Sequence, residues 1–298
     1  MKIGTVGLGA MGAPMTRNLA VGDDKVVCYD LNPEKADSLR SDAITPAADV
    51  AAIAEQCELV VLMISDDEAL RNVIFGKRGI LSVPFKGCVI DLSTTSLAIA
   101  LECERAIANH GGVFLDGAVI GGGAPAAKAG KSPIVVSGQQ AVFERYKSRL
   151  ARLGTCDFVG ASGNAKIVKI INNMLVGIIT AANAEALSLG IAAGLKLKPL
   201  VKGLEGGSGE SVVLKSYMGR YANEGIYGDG LIGHKLMAKD LTLACELGKM
   251  TASPVMFAEL ARQFYLWSGA AIGQDKMFPS VFELFQRDAK LKNSDVAA

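Results

Sequence analysis

MKIGTVGLGAMGAPMTRNLAVGDDKVVCYD, residues 1–30, reads as strand, glycine turn, helix and second strand. Lys2–Val6 and Lys25–Tyr29 are short β-branched runs, and the stretch between them has helical character. At the first junction stand Gly7, Leu8, Gly9, Ala10, Met11 and Gly12, the spacing G-x-G-x-x-G. The first glycine permits a tight turn, the second lets backbone approach a pyrophosphate, and the third lets helix and strand pack closely. The helix N-terminus faces the phosphate charge. Asp30 ends the second strand, at the spacing of an acid that hydrogen-bonds a ribose hydroxyl. Its charge would repel a 2′-phosphate, and no arginine follows closely, so the expected cofactor is NAD rather than NADP. The competing reading is a glycine-rich turn followed by a surface aspartate.

Working outward, Leu59–Met63 and Cys88–Asp91 repeat the strand pattern, and Val113–Asp116 and Ile134–Ser137 add two more runs. Helical stretches near residues 32–39, 47–54, 68–75 and 98–110 separate them. Strands alternating with helices predict an α/β fold, a Rossmann-like doubly wound parallel sheet. Strand signals then stop. Residues 164–193 read as one long buried helix, followed by helices near 198–205, 212–220, 234–251, 254–269 and 279–285. Loops are expected at 206–209 and 227–230. The chain therefore divides into a NAD-binding domain over 1–162 and an all-α domain over 163–298, whose long first helix is expected to complete an active-site cleft.

Composition excludes several classes. Lysine and arginine number 31 against 30 acids, so the net charge of +1 offers no field for nucleic acid or an anionic membrane. The six cysteines have no CxxC pair and there are only two histidines, which argues against a zinc site and for free thiols in a reducing cytoplasm. No leader-like segment is read at the start. The long apolar stretch carries Lys169, Asn172, Asn173, Asn183 and Glu185, too many polar groups for a membrane span. Gly130-Lys131-Ser132 imitates the end of a P-loop, but Pro125 holds the place of its first glycine.

Residues 7–19, GLGAMGAPMTRNL, resemble the opening signature of the β-hydroxyacid dehydrogenases, which include 3-hydroxyisobutyrate dehydrogenase and tartronate semialdehyde reductase and are related to 6-phosphogluconate dehydrogenase. The likeness continues in order. Asp91-Leu92-Ser93-Thr94 resembles the family's D-x-S-T loop, and Asp116–Gly122 its D-A-P-V-S-G-G segment. Lys169–Asn173 is similar to K-x-x-N-N, and Lys239-Asp240-Leu241 to K-D-L. The resemblance implies that Lys169 is the catalytic acid/base and that Asn173 helps to bind substrate. It implies Ser93, Gly121 and Gly122 at the substrate, and Thr94, Ile64, Ser65 and Lys239 at the cofactor. Departures fall at Ile120, where the family has a serine hydroxyl, at Val212, where an aromatic ring is common, and in the distance from Gly163 to Lys169.

The residues alone leave some of these roles open. Lys169, Asn172 and Asn173 share a helix face, either as a proton carrier with its anchors or as a snorkelling lysine beside a helix contact. Lys166, one turn earlier, competes for the proton-carrier role. Asp91–Thr94 is either a ligand loop at a strand end or a helix cap. Lys239 and Asp240 read as a solvated pair without the resemblance, and His234 as a surface or interface residue. The expected activity is hydride transfer between NAD and a small 3-hydroxy acid or its semialdehyde, by a homodimer or homotetramer acting on a small carboxylate substrate. An NADPH-dependent imine or semialdehyde reductase and a non-catalytic NAD-binding module are the rival readings.

Overall fold

The computed structural model describes residues 1–227 and 232–288. It packs as two compact units, Met1–Lys169 and Ile170 onward. In the first, the strands are β1 (Lys2–Val6), β2 (Lys25–Tyr29), β3 (Ile44–Pro46), β4 (Leu59–Leu62), β5 (Cys88–Asp91), β6 (Val113–Val119), β7 (Ile134–Ser137) and β8 (Cys156–Phe158). They form one sheet in the order β3-β2-β1-β4-β5-β6-β7-β8. Leu59 and Val61 belong to one core cluster, Val60 and Leu62 to another. Both faces are covered, which is why β4 is an unbroken apolar run rather than an alternating one.

The α/β reading holds, with two corrections. β6 and β7 are antiparallel, with Asp116 opposite Ser137, so the sheet is mostly rather than wholly parallel. The three-residue edge strands β3 and β8 were too short to leave a periodic signal. Pro46 sits in β3 without penalty because an edge strand can spare a ladder donor.

The helices of this unit are α1 (Gly12–Leu19), α2 (Pro33–Asp37), α3 (Val50–Ala54), α4 (Asp67–Phe75), α5 (Leu97–Asn109), α6 (Gly123–Lys128) and α7 (Gln140–Leu150). Asn32, Asp49, Asp66 and Ser96 cap α2, α3, α4 and α5 with their side chains. The long helix α8 (Asn164–Ala192) begins in this unit. Its first N–H groups meet buried side chains of the sheet. Gly163 N donates to Asp116 Oδ1 at 2.8 Å and Ala165 N to Ser137 Oγ at 2.9 Å. This anchoring places the start of α8, as far as Lys169, with the sheet.

The second unit continues with α9 (Leu197–Leu204), α10 (Arg220–Glu224), α11 (His234–Thr251), α12 (Met256–Ile272) and α13 (Val281–Asp288). Residues Leu214–Gly219, expected as α-helix, form a π-helical turn. The loop expected at 227–230 lies, after Tyr227, outside the described residues. Two expectations are corrected here. α8 is long and apolar enough to cross a membrane, yet only 39% of its most apolar window is buried, so it is not a wholly buried helix. Ile171, Leu175 and Leu189 stand exposed on it. His234 is fully buried rather than at the surface, its Nε2 2.8 Å from Ser280 Oγ.

Candidate active site

The strand order reverses between β1 and β4, and in open α/β sheets ligands bind beyond the strand ends at such a point. The glycine loop lies there. Gly7 has φ +89°, and a Cβ on it would stand 2.3 Å from Met63 O. A Cβ on Gly12 would stand 1.9 Å from Gly7 O. These two glycines are demanded by the fold. Gly9 differs, because a Cβ there would meet no protein atom within 4 Å. Its bare backbone faces open space at the uncapped start of α1, where Met11 supplies no side-chain cap. That cradle fits a pyrophosphate, whose approach a side chain at Gly9 would block.

Asp30 is placed less simply than its spacing suggests. Its Oδ2 accepts from Leu8 N at 2.7 Å and its Oδ1 from Asn32 N at 2.9 Å. It therefore fixes the glycine loop from the end of the second strand. Lys35 Nζ is 3.6 Å from Asp30. Lys35 is a cation on the short helix after the second strand, the feature in the sequence that announces this pairing.

At the end of β4, Ile64 N donates to Ser93 Oγ at 2.9 Å. Ser93 is buried and does not cap α5, a task that falls to Ser96. The hydroxyl expected at substrate thus ties the turn after β4 to the turn after β5. Asp91, fully buried, accepts from Ser93 N at 3.1 Å and shapes this loop from beneath. Thr94 is half-buried and Ser65 exposed, its hydroxyl 2.7 Å from Asp66. After β6, Ile120 N donates to Pro133 O, and Gly121 and Gly122 are exposed. Gly122 has φ +80° and precedes the first turn of α6.

The two lysines of α8 part company. Lys166 Nζ is fully buried and lies 2.8 Å from Asp91 Oδ2. It also donates to the carbonyls of Asp91, Ser93 and Gly117 at 3.0, 2.8 and 2.9 Å. Lys169 is half-buried and donates to Val119 O at 2.6 Å, at the end of β6. An ammonium whose hydrogens are all engaged by buried oxygens is structural. Lys169 is the less buried of the two.

In the helical unit Asn173 is buried, and its Nδ2 donates to Asp240 Oδ2 at 2.7 Å. Its Oδ1 accepts from Asn172 Nδ2 at 3.0 Å. Asp240 Oδ1 is 3.1 Å from Lys239 Nζ. Asp240 is buried, so this is no solvated surface pair. The tie between Asn173 and Asp240 was not legible in the sequence, since the two lie 67 positions apart.

Comparison with known proteins supplies the family. Residues 2–161 match the model for the NAD binding domain of 6-phosphogluconate dehydrogenase. Residues 163–285 match that for the NAD-binding of NADP-dependent 3-hydroxyisobutyrate dehydrogenase. The chain is 32% identical over 294 residues to mitochondrial 3-hydroxyisobutyrate dehydrogenase of Mus musculus, covering 96% of this chain and 87% of that one. It is 32% identical over 275 residues to 2-(hydroxymethyl)glutarate dehydrogenase of Eubacterium barkeri, covering 92% and 90%. The solved structure of Mycobacterium tuberculosis 3-hydroxyisobutyrate dehydrogenase with L-serine superposes with a TM-score of 0.85 at 25% identity, over 96% of this chain and 99% of that one. Glycine cradle, strand-end loops, lysine-bearing helix and sequence kinship together place the chain in the β-hydroxyacid dehydrogenase family, with NAD as its cofactor.

Proposed function

We propose that the protein oxidises a small 3-hydroxy acid with NAD, or reduces the corresponding semialdehyde, and that Lys169 carries the proton. NAD supplies the hydride acceptor at its nicotinamide C4. The remaining work belongs to the chain. The neutral Lys169 amine takes the proton from the substrate hydroxyl as the carbinol hydride leaves, and the carbon–oxygen bond becomes a carbonyl. In the reverse direction the ammonium returns the proton to the developing alkoxide. Backbone N–H groups of Gly121 and Gly122 hold the substrate carboxylate, and Asn173 positions the reacting molecule. Ile64, Ser65, Thr94 and Lys239 would hold the nicotinamide end of NAD. The observation that carries this reading is the half-buried Lys169 amine at the end of β6, 2.6 Å from Val119 O and two residues before the exposed glycine pair.

A panel of small 3-hydroxy acids with NAD and with NADP, followed by reduced-cofactor absorbance, tests it. The expected result is turnover of an acid with an apolar branch, such as 3-hydroxyisobutyrate, with NAD preferred. Tartronate semialdehyde should be a poor substrate in the reverse direction, because Ile120 leaves a polar group without a partner. Asp30→Ser should narrow the gap between NAD and NADP, since the carboxylate no longer repels a 2′-phosphate. Tight NAD binding with no turnover of any panel member would return the chain to a non-catalytic NAD-binding role.

Self-association as a homodimer or homotetramer is part of the same proposal. Leu175 and Leu189 on α8 and Met256, Phe257, Leu260 and Trp267 on α12 are exposed apolar side chains that a second copy would cover. Light scattering across a dilution series checks it, and a monomer at micromolar concentration rejects it. A reducing cytoplasm suits the six free cysteines, five of them buried.

A further inference from the structure

Lys166 is fully buried, three residues before Lys169 on the first turns of α8, and its ammonium meets four oxygens. Two of those oxygens belong to Asp91, at the end of β5. The third is the carbonyl of Ser93, whose own hydroxyl accepts from Ile64 N beyond β4. The fourth is the carbonyl of Gly117 in β6. One side chain therefore joins the end of β5 and the turn after it to the body of β6, and that turn carries Ser93 and Thr94 while β6 leads into Gly121 and Gly122.

The register is informative. Lys166 reaches Gly117 O and Lys169 reaches Val119 O. Carbonyls two residues apart in a strand point the same way and are separated by about 6.6 Å. Side chains three apart on a helix share a face within about one 5.4 Å turn. The first lysine thus sets where the second lies along β6. Asp116 and Ser137 fix the same turn through its backbone, with Lys166 N 3.3 Å from Asp116 Oδ2. That backbone anchoring holds the helix start without the Lys166 side chain; what the ammonium adds is the hold on the turn after β5 and on β6.

We propose that Lys166 is a positioning residue for hydride transfer: its ammonium locks the turn after β5 and strand β6 against α8, so that the Lys169 amine and the loops these strands lead into keep one relative placement. This rests on Lys169 being the proton carrier. A misplacement of about 1 Å can lower a rate on the order of 10²-fold without loss of binding.

The test uses the full-length protein with NAD and 3-hydroxyisobutyrate. Lys166→Met alone strands the Asp91 carboxylate in the core and can unfold the protein, so two charge-free pairs are made, Asp91→Asn/Lys166→Met and Asp91→Asn/Lys166→Gln. Melting temperature, NAD affinity by fluorescence, kcat, KM and the isotope effect with substrate deuterated at the carbinol carbon are measured beside Lys169→Ala. Both pairs should bind NAD within about twofold of wild type. The Met pair should lose on the order of 10²-fold in kcat with KM little changed, and its isotope effect should rise as hydride transfer becomes limiting. The Gln pair, which keeps an N–H donor for a loop carbonyl, should recover part of that loss. A Met pair that melts lower but keeps wild-type kcat and isotope effect overturns the proposal, as does a Gln pair no better than the Met pair. Failure of the proton-carrier reading looks different: Lys169→Ala would turn over while the Lys166 variants would not.

Discussion

The cofactor loop of the sheet unit and the Asn173–Asp240–Lys239 cluster of the helical unit are built on opposite plans. The first is made of backbone. Gly7 and Gly12 are fixed by contacts a Cβ would violate, and Gly9 by the emptiness in front of it. The second is made of side chains that meet across α8 and α11, with Asn173 donating to Asp240 and Asp240 facing Lys239. A backbone site depends on residues that are near in sequence and on the absence of side chains. A side-chain cluster depends on partners far apart in sequence, each replaceable without disturbing the chain's path.

The largest expected effect belongs to a residue of neither kind alone. Lys169 is a side chain held on a strand carbonyl. Lys169→Ala should lower kcat toward the upper end of about 10²–10⁴-fold while NAD affinity and melting temperature stay near wild type. Lys169→Arg should recover little, because a guanidinium does not give up its proton. Rate measurements under saturating NAD decide this, and an active Lys169→Ala enzyme would break the assignment.

Next come the glycines, which sharpen the backbone half of the comparison. Gly12→Ala forces a methyl against Gly7 O and should cost about 1–3 kcal/mol of stability as well as NAD binding. Gly9→Ala meets no protein atom, so it should leave the melting temperature unchanged while weakening NAD by tenfold or more, about 1.4 kcal/mol. Calorimetric melting paired with NAD titration separates the two. Equal loss of stability in both variants would end the distinction between a fold-demanded and a ligand-demanded glycine.

The narrowest effect on the two quantities, a loss of stability that spares NAD affinity, is expected in the side-chain cluster. Asn173→Ala removes the donor to buried Asp240 and should cost about 1–3 kcal/mol in urea unfolding, with NAD affinity at the glycine loop unchanged. Asn173→Asp should be worse than Asn173→Ala in stability, because it sets two carboxylates face to face. The reverse order would mean that the cluster is not the tight network its distances describe.

The same contrast explains what could be read in advance. The glycine spacing, Asp30 and the alternation of strands and helices are local signals, and from them the nucleotide-binding architecture was legible. The antiparallel β7 was not, because strand direction depends on a connection rather than on the strand's own residues. Nor was the double duty of Asp30, whose carboxylate reaches back 22 positions to Leu8 N. Lys166 read only as a competitor for Lys169, since its partners at Asp91, Ser93 and Gly117 lie 49 to 75 positions away. Asp240 read as surface for the same reason. Ser93 was recognised as important, but its use as an acceptor for Ile64 N emerges only once β4 and β5 lie side by side.

The burial of His234 links the stability of the helical unit to pH. Its ring sits 5.9 Å from that of Tyr265 and beside Ser280, and burial, with Lys276 nearby, holds its pKa down at about 4, below the ordinary value of 6.5. The folded protein therefore keeps this ring neutral where the unfolded chain would protonate it. Protons favour unfolding through the window between those two values, so stability is full above about pH 6.5 and drains away as the pH falls toward 4. Melting temperature measured across that range should slope steeply in the wild type and less steeply in His234→Gln, and equal slopes would show that the acid sensitivity arises elsewhere. A histidine that read as surface or interface thus couples the packing of the second unit to the proton concentration around it.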